Sequence, residues 1–319
     1  MINRHLSQPR RRTILTAGTL GLLSQMATPS EASDKRSGRV PHGMSALAWI
    51  LADAITGDVL ASRNPHRQLA PASTLKTLFA LTVMPRLDGG ELHTVSASEL
   101  SSVPAGSSVV GLRRGAAYSI DDLWNGVFLR SGNDAVRVLA HINGGWNRTA
   151  ARMEQCALGL GAGHTKVVSP DGFDAPGQVS TAHDLTVFAR VGLSRAEFLQ
   201  HCRTKRAFFP NGQTGGGYIT ITNTNRLLSG TNGVVPYPGI IGVKNGYTSR
   251  AGNTLIAAAH RNGRILLATV MNPQSGQANA VYNEARTLLD WGFALPADAE
   301  YAGRLPPLPE DTEPFPISF

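Results

Sequence analysis

The segment Ser73-Thr74-Leu75-Lys76 places a hydroxyl and an amine three residues apart. Residues 77–84 are largely apolar and are followed by Pro85, so we expect a buried helix that begins near Ser73. Residues i and i+3 of a helix lie on one face, which brings the two side chains together. A serine becomes a good nucleophile when a neighbouring base takes its proton, and a lysine is such a base only when its pKa is lowered. The pair therefore predicts nucleophilic catalysis, with Ser73 attacking and Lys76 accepting the proton.

The four-residue pattern is weak by itself, because Ser-x-x-Lys also arises when a serine caps a helix and the lysine is solvated. Two further segments strengthen the prediction. Ser131-Gly132-Asn133 forms a short polar turn before another predicted helix, and Lys244-Asn245-Gly246 lies on a predicted strand. The patterns Ser-x-x-Lys, Ser-x-Asn and Lys-x-Gly follow one another in that order, about sixty and then about 110 residues apart.

Strands are predicted near both ends of the chain, with helices between them. Two hairpins are expected, with turns at Thr56-Gly57-Asp58 and at Asn262-Gly263, because short apolar runs flank each turn. Thr181 and Asp184 have the spacing of a helix capping box. The predicted strands are residues 46–52, 59–61, 253–259 and 265–271, and the predicted helices are residues 121–127, 135–142, 149–158, 181–193 and 280–291. This order predicts an α+β fold, in which an antiparallel sheet built from both ends is flanked by helices and joined to a helix-rich lobe.

Both ends of the chain are predicted to lie outside the catalytic domain, which we place at residues 43–295. Residues 1–32 have the layout of an export signal, since three arginines precede an apolar stretch and Ser30-Glu31-Ala32 forms a small-x-small site. Arg11-Arg12-x-Ile14-Leu15 resembles a twin-arginine signal, and a Sec signal with a basic front is the alternative. The apolar stretch falls short of the ~20 residues that span a bilayer, so no stable membrane span is expected in the mature chain. Residues 296–319 are proline-rich and predict a flexible tail.

Composition narrows the classes of function. Apolar residues make up 42% of the chain and charged residues 16%, which is typical of a globular protein. The net charge is +8, and residues 1–32 contribute +3 of it, so the remainder is too mildly and diffusely basic to predict nucleic-acid binding. The nine histidines show no metal-ligand spacing, and we expect no metal or cofactor; His164 and His183 are interpreted as loop and helix-surface residues. Whether Cys156 and Cys202 pair stays open.

The three motifs make the chain resemble the serine penicillin-recognising enzymes, and among them the low-molecular-mass D-alanyl-D-alanine carboxypeptidases. The resemblance extends from about residue 46 to about residue 293 and includes residues 129–135, 169–174, 223–228 and 289–293. It implies the two-lobed β-lactamase/transpeptidase-like fold and an exported enzyme of peptidoglycan synthesis and cell shape that needs no cofactor. The implied substrate is a peptidoglycan stem peptide ending in D-Ala-D-Ala, and β-lactams are the implied covalent inhibitors.

The resemblance also implies a role for each motif residue. Ser73 would attack the carbonyl of the penultimate D-alanine, and Lys76, kept neutral in a site crowded by Lys244, would take its proton. Ser131 would pass a proton to the leaving amine, because a hydroxyl both donates and accepts. Asn133 would hold the substrate amide and orient Lys76, and Lys244 would lie near the substrate's terminal carboxylate.

The resemblance also implies that the segment from Lys244 to Thr248, on the predicted strand, binds the substrate. The backbone N–H groups of Ser73 and Tyr247 would form an oxyanion hole. Gly246 would let an extended peptide lie against the strand without a side chain in the way.

Two departures from the family pattern put substrate preference in doubt. Asn245 stands where relatives carry a threonine whose hydroxyl meets the carboxylate; an amide can donate there too, and Thr248 is near in sequence. Residues 276–284 contain no arginine at the position where many relatives carry one, and Arg250 is a candidate replacement.

Two other functions compete with a D,D-peptidase. A serine β-lactamase shares the fold, but its commonest kind uses a glutamate before the third motif. The only glutamates between Ser131 and Lys244 are Glu154 and Glu197, both in apparent helices without the expected neighbours. A non-catalytic wall-binding homologue is the second alternative; the intact Ser73, Lys76 and Ser131 argue against it, whereas Asn245 leaves some room for it.

Overall fold

A computed structural model of the chain describes residues 41–213, 216–296, 299–310, 312 and 315–316. The predicted export signal, residues 1–32, lies outside the described residues. The strands are β1 (Ala48–Asp53), β2 (Asp58–Arg63), β3 (Leu92–Thr94), β4 (Ala117–Ser119), β5 (Arg206–Pro210), β6 (Tyr218–Thr222), β7 (Ile240–Thr248), β8 (Gly252–Arg261), β9 (Arg264–Met271) and β10 (Gly303–Arg304). The helices are α1 (Lys76–Val83), α2 (Ala97–Leu100), α3 (Ile120–Leu129), α4 (Asn133–Ile142), α5 (Trp146–Gly159), α6 (Ala182–Leu193), α7 (Ala196–Arg203), α8 (Arg226–Ser229) and α9 (Ala280–Ala294).

One antiparallel sheet in the order β10-β2-β1-β9-β8-β7 joins the two ends of the chain, as predicted. The β1–β9 pairing makes that connection, with Ala48 opposite Met271 and Asp53 opposite Leu266. Asn262 and Gly263, at the tip of the β8–β9 hairpin, have φ of 50° and 75°. Positive φ at both central residues is what a tight two-residue hairpin turn requires, which explains the residue types found there. β3–β4 and β5–β6 form two separate two-stranded sheets.

The sheet separates two hydrophobic cores. Side chains alternate along a strand, so Ile50 and Leu51 of β1 face opposite sides. Leu51 belongs to a core that α9 covers with Leu288 and Leu289. Ile50 belongs to a larger core that includes side chains of α1, α3, α4 and α6. The helix-rich part of the chain therefore packs on one sheet face and α9 on the other, which confirms the predicted α+β arrangement.

The five predicted helices are present as α3, α4, α5, α6 and α9, with ends that differ from the prediction by up to three residues. Thr181 caps α6 by accepting a hydrogen bond from the N–H of Asp184. The predicted capping box is only half formed, because the Asp184 carboxylate accepts from Thr165 Oγ1 at 2.8 Å. α7 was not among the helices predicted with bounds, although Glu197 was assigned to an apparent helix; it buries Phe198 and His201. Its helical pattern of apolar residues is hard to recognise in the sequence because polar residues are interspersed among them.

The predicted flexible tail, residues 296–319, is wrong at Gly303–Pro306. Gly303 pairs with Val59 of β2, and the N–H of Leu305 donates to the carbonyl of Gly57 at 2.8 Å. The Leu305 side chain is 2% exposed. β2 would otherwise be an edge strand with unpaired backbone groups, so a short extended segment satisfies it despite the neighbouring prolines.

Cys156 and Cys202 are both free thiols. Within the described residues, the structure contains no helix with both the length and the apolar character needed to cross a membrane.

Candidate active site

Ser73 lies on a 3₁₀ turn, Ala72–Leu75, immediately before α1. The prediction of one helix from near Ser73 is therefore slightly wrong, since the α-helix begins at Lys76. The pairing of the two side chains survives, because Lys76 Nζ lies 2.7 Å from Ser73 Oγ. Lys76 is 1% exposed, whereas Ser73 is half-buried and reaches a surface groove.

Lys76 Nζ has two further neighbours, Asn133 Oδ1 and the backbone carbonyl oxygen of Asp171, each at 2.7 Å. Both oxygens can only accept hydrogen bonds. A neutral amine has two N–H groups and one lone pair, so it can donate to both oxygens while its lone pair accepts the hydroxyl proton of Ser73. The three contacts thus orient Lys76 as a base toward Ser73.

Burial lowers the pKa of Lys76 from 10.5 to about 8, although the negative charges of Asp171 and Asp134 act to raise it. Desolvation, and not the predicted charge of Lys244, is therefore what lowers the pKa of Lys76. At pH 7.5 an amine with this pKa is neutral in roughly a quarter of molecules, compared with about one in a thousand for an ordinary lysine. Lys76 is thereby a usable base near neutral pH.

Lys244 extends from β7 beneath the groove and donates to Ser131 Oγ at 3.0 Å and to its neighbouring carbonyl, Asn245 O, at 2.8 Å. It is 1% exposed. Burial, and then the charge of Lys76, hold the pKa of Lys244 well below its ordinary value. Ser131 therefore receives a hydrogen bond from Lys244, whose amine would be protonated if an anion were bound beside it.

Two non-glycine residues at the site have left-handed backbone conformations: Ala72, with φ of 49°, and Ser131, with φ of 60°. Such conformations are costly for residues with a Cβ and occur where the surroundings enforce them. Gly172 presses against the first of them, because a Cβ at Gly172 would lie 2.1 Å from the carbonyl oxygen of Ala72. The loop of residues 169–174 therefore supports the turn that carries Ser73 and also supplies the Asp171 carbonyl to Lys76.

Gly246 is needed for a reason that the sequence did not show. A Cβ at this position would lie 2.6 Å from the backbone nitrogen of Ser73 and 3.0 Å from Ala72 Cβ. The missing side chain leaves room for the turn that carries the nucleophile. The predicted clearance for a substrate peptide stays a prediction, and the contact with the Ser73 turn is a separate reason for glycine at this position.

α4 begins with two buried polar residues, Asn133 and Asp134, that hold the segment of residues 107–112 beside the surface groove. Asn133 donates its N–H to the carbonyl of Ser108 at 2.7 Å. The Asp134 carboxylate accepts the backbone N–H groups of Val110, Gly111 and Leu112 at 2.8–3.0 Å, as well as that of Ala135. These bonds fasten residues 108–112 to α4, and the adjoining Ser107 and Ser108 line the groove.

The groove has a volume of about 370 Å³. Of the nine predicted site residues, seven line it and the two lysines lie beneath; the seven are Ser73, Ser131, Asn133, Asn245, Gly246, Tyr247 and Thr248. The Thr248 hydroxyl is occupied, since it donates to Asp174 Oδ1 at 2.7 Å. Tyr247 is 68% exposed. No glutamate is among the described residues that line the groove, so neither Glu154 nor Glu197 takes a place there.

A second cavity, of about 510 Å³, adjoins the groove and shares Asn245, Gly246 and Tyr247 with it. Its lining includes Arg130 and Arg226 but no acidic residue among those that the structure describes. Asn279, within the stretch that lacks the expected arginine, accepts a hydrogen bond from Arg226 Nη1.

Asn245 connects the groove to this cavity. Its Oδ1 accepts from Thr224 Oγ1 at 3.1 Å, which leaves the amide N–H groups free to donate. Arg250 lines neither cavity; its backbone N–H binds Asp174 Oδ2, and its side chain is exposed. The roles of Asp171, Thr224 and Arg226 were not predicted, although their segments contributed to the family resemblance.

Comparisons with known proteins agree with this geometry. Residues 35–275 match the family model described as D-alanyl-D-alanine carboxypeptidase. The chain is 39% identical over 259 residues to the D-alanyl-D-alanine carboxypeptidase DacB2 of Mycobacterium tuberculosis, which covers 80% of this chain and 84% of the relative. It is 33% identical to DacD of Escherichia coli over 79% of this chain and 64% of that protein.

Two solved structures share the fold. A D-alanyl-D-alanine carboxypeptidase from M. tuberculosis superposes with a TM-score of 0.75 at 37% identity, covering 84% of this chain and 98% of that one. The Streptomyces K15 DD-transpeptidase superposes with a TM-score of 0.74 at 27% identity, covering 81% of this chain and 100% of that one. The present chain belongs to the D-alanyl-D-alanine carboxypeptidase family of serine peptidases.

Proposed function

We propose that this D-alanyl-D-alanine carboxypeptidase releases the terminal D-alanine of peptidoglycan stem peptides through an acyl-enzyme on Ser73. The observation that carries the proposal is the position of Lys76 Nζ, which is buried, 2.7 Å from Ser73 Oγ and held by two oxygens that can only accept. That arrangement is what a serine nucleophile with a lysine base requires.

In acylation, Ser73 Oγ attacks the carbonyl carbon of the penultimate D-alanine while its proton moves to Lys76 Nζ. The C–N bond breaks as the proton held by Lys76 returns by way of Ser131 to the leaving amine, which leaves Lys76 neutral and Ser131 a hydroxyl again; the Lys244 amine that donates to Ser131 supports this transfer. Water then attacks the ester carbonyl while Lys76 takes a proton from it, and this proton passes from Lys76 to Ser73 Oγ as the bond between the acyl group and Ser73 breaks. Lys76 Nζ lies 2.7 Å from Ser73 Oγ, and Lys244 Nζ lies 3.0 Å from Ser131 Oγ.

The negative charge that develops on the attacked carbonyl oxygen would be stabilised by the backbone N–H groups of Ser73 and Tyr247. Gly246 supports this assignment, because its missing Cβ lets β7 approach the Ser73 nitrogen closely. Donors of this kind contribute about 10²–10³ each in rate.

The terminal carboxylate of the substrate would bind on the Lys244 side of the groove. The free amide N–H groups of Asn245 can donate to it, and Arg226, positioned by Asn279 in the adjoining acid-free cavity, supplies the guanidinium that residues 276–284 lack. Thr248 lines the groove but its hydroxyl is bound to Asp174, so it contributes through shape more than through donation.

Removing the Arg226 guanidinium tests this carboxylate site. Arg226→Gln should raise KM about ten- to a hundredfold for a peptide ending in a free carboxylate, as expected for a lost charge-assisted hydrogen bond. For the same peptide with a C-terminal amide, the KM of Arg226→Gln should equal that of the wild type. Arg250→Gln is the matched control, because that side chain is exposed and lines neither cavity. An equal effect of Arg226→Gln on acid and amide would refute the assignment.

Binding of the carboxylate also has a consequence for the base. An anion beside Lys244 favours its ammonium form, and that charge in turn disfavours a charge on Lys76. Substrate binding would therefore deprotonate Lys76 further, so the ascending pKa of kcat should lie below that of kcat/KM.

The proposal extends to the domain limits, the export and the location of the enzyme. Residues 43–295 form the catalytic unit, residues 1–32 direct export by a twin-arginine or Sec signal, and the enzyme works outside the cytoplasm on the cell wall. β-Lactams would acylate Ser73 and deacylate slowly, because the described groove contains no glutamate to activate a hydrolytic water.

The proposed function is tested by incubating the mature protein with a stem pentapeptide, with and without an acceptor amine, and identifying the products. Free D-alanine and a tetrapeptide are expected, and a new peptide bond with the acceptor would reveal transpeptidation as well. Rapid penicillin hydrolysis without D-alanine release would favour the β-lactamase alternative. Absence of both activities and of Ser73 labelling by penicillin would favour the non-catalytic homologue.

A further inference from the structure

Three potential metal ligands converge at a place that the catalytic mechanism does not use. Asp121 lies in the first turn of α3, and Glu197 and His201 lie four residues apart on one face of α7. One ligand atom from each of the three lies within 4.8 Å of the other two. Histidine spacing in the sequence does not identify this group, because two of its three ligands are carboxylates and one of these comes from a distant helix.

His201 is oriented as metal-bound histidines are. Its side chain is 1% exposed, and its Nδ1 lies 3.1 Å from Asn125 Oδ1, an oxygen that can only accept. Nδ1 therefore carries the proton, and Nε2 of the neutral ring presents a lone pair. Nε2 has no hydrogen-bond partner, and Asp121 Oδ1 lies 3.4 Å from it. A ring N–H fixed by a neighbouring oxygen is the usual outer-shell arrangement of a metal-ligating histidine.

Glu197 adds a second acceptor without a donor. Its Oε1 is buried and has no hydrogen-bond partner. The nearby Arg195 donates to the carbonyl of Leu81. Three acceptor atoms thus face one another, and a cation placed between them would satisfy all three.

We propose that Asp121, Glu197 and His201 bind a divalent transition-metal ion of the Zn²⁺ class. One imidazole nitrogen with two carboxylate oxygens is a ligand set that zinc accepts, whereas Mg²⁺ and Ca²⁺ prefer oxygen alone. The Asp121 side chain is 49% exposed, which leaves an entry path and room for a water ligand.

The site would act as a clamp between two helices. α7 packs against both α3 and β7. α3 ends at the turn that carries Ser131, and β7 carries Lys244. A metal ion would therefore hold together elements that border the active site without touching the reacting atoms, so its role is structural and does not depend on the proposed acyl transfer.

The test uses the purified protein, stripped with a chelator and then titrated with ZnCl₂ or MgCl₂. We expect zinc to raise Tm and to bind with micromolar or tighter affinity in calorimetry, and magnesium to do neither. Glu197→Gln and Asp121→Asn, which keep side-chain size and avoid the buried ring of His201, should each weaken zinc binding by about tenfold or more.

His164→Gln is the control variant. His66, His164 and His183 form a surface cluster, with ring centroids 5.3 Å apart for His66 and His164 and 4.6 Å apart for His66 and His183, and this cluster could bind zinc itself. The control should leave the Tm shift unchanged. The proposal is overturned if the wild-type protein shows no zinc-dependent shift. It is also overturned if both carboxylate variants bind zinc like the wild type, or if His164→Gln abolishes the shift.

Discussion

Replacing Gly246 by alanine should slow acylation of Ser73 without weakening the initial binding of the acylating agent. The added Cβ would lie 2.6 Å from Ser73 N and 2.9 Å from Thr254 Oγ1, whereas ordinary contacts begin at 3.4 Å. The turn that carries Ser73 must therefore move by several tenths of an ångström. A displacement approaching 1 Å at a reacting group costs about 10² in rate. Overpacking of this kind also destabilises a protein by roughly 1–3 kcal/mol.

The assay is covalent labelling by a fluorescent penicillin, followed over a range of concentrations. This separates the first-order acylation constant from the dissociation constant of the initial complex. If Gly246 served only to clear space for the ligand, the alanine variant would raise the dissociation constant and leave the acylation constant unchanged. The structure predicts the reverse, a fall of about ten- to a hundredfold in the acylation constant.

Gly159→Ala is the matched control, because a Cβ at Gly159 meets nothing within 4 Å and φ there is not positive. It should acylate like the wild type. Thermal unfolding of both variants shows that each is folded at the assay temperature. Wild-type acylation by a folded Gly246→Ala variant would refute the proposed contact between β7 and the Ser73 turn.

Two further predictions concern the base and the carboxy-terminal segment. Because Lys76 must be neutral to accept a proton, kcat/KM should rise with pH to a plateau above about 8, and fall about tenfold per unit below pH 7. A flat profile between pH 6 and 9 would contradict this role. Leu305→Ala should lower the free energy of unfolding by about 2–5 kcal/mol in urea denaturation, since this side chain is 2% exposed. Leu92→Ala, at a side chain that is 70% exposed, should change it little, and equal stabilities of the two variants would argue against packing of the Gly303–Pro306 segment.

Much of the fold could be predicted because its signals are local. The Asn262-Gly263 turn and the apolar periods of α6 and α9 identify their elements without reference to the rest of the chain. The Leu305 segment could not be predicted in this way, because its partner is the free edge of β2, about 245 residues earlier.

The features of the active site also differ in whether local sequence could predict them. Ser73 and Lys76 are three residues apart and could be paired from helical geometry alone. The contact of the Asp171 carbonyl with Lys76 could not, since a backbone oxygen has no residue type to recognise. The close approach of Gly246 to Ser73 N, and the meeting of Asp121 with α7, depend on how separate elements pack. Pattern therefore identified the reacting groups, and packing determined their orientation and pKa.

The most direct test of the central claim is to replace Ser73 by alanine and measure D-alanine release from a stem pentapeptide, alongside mass spectrometry of penicillin-treated protein. The wild-type protein should release D-alanine and gain one penicilloyl group on the peptide containing Ser73. Ser73→Ala should do neither, while unfolding at the same temperature as the wild type. Undiminished D-alanine release by Ser73→Ala, or a penicilloyl group on another residue, would contradict the account.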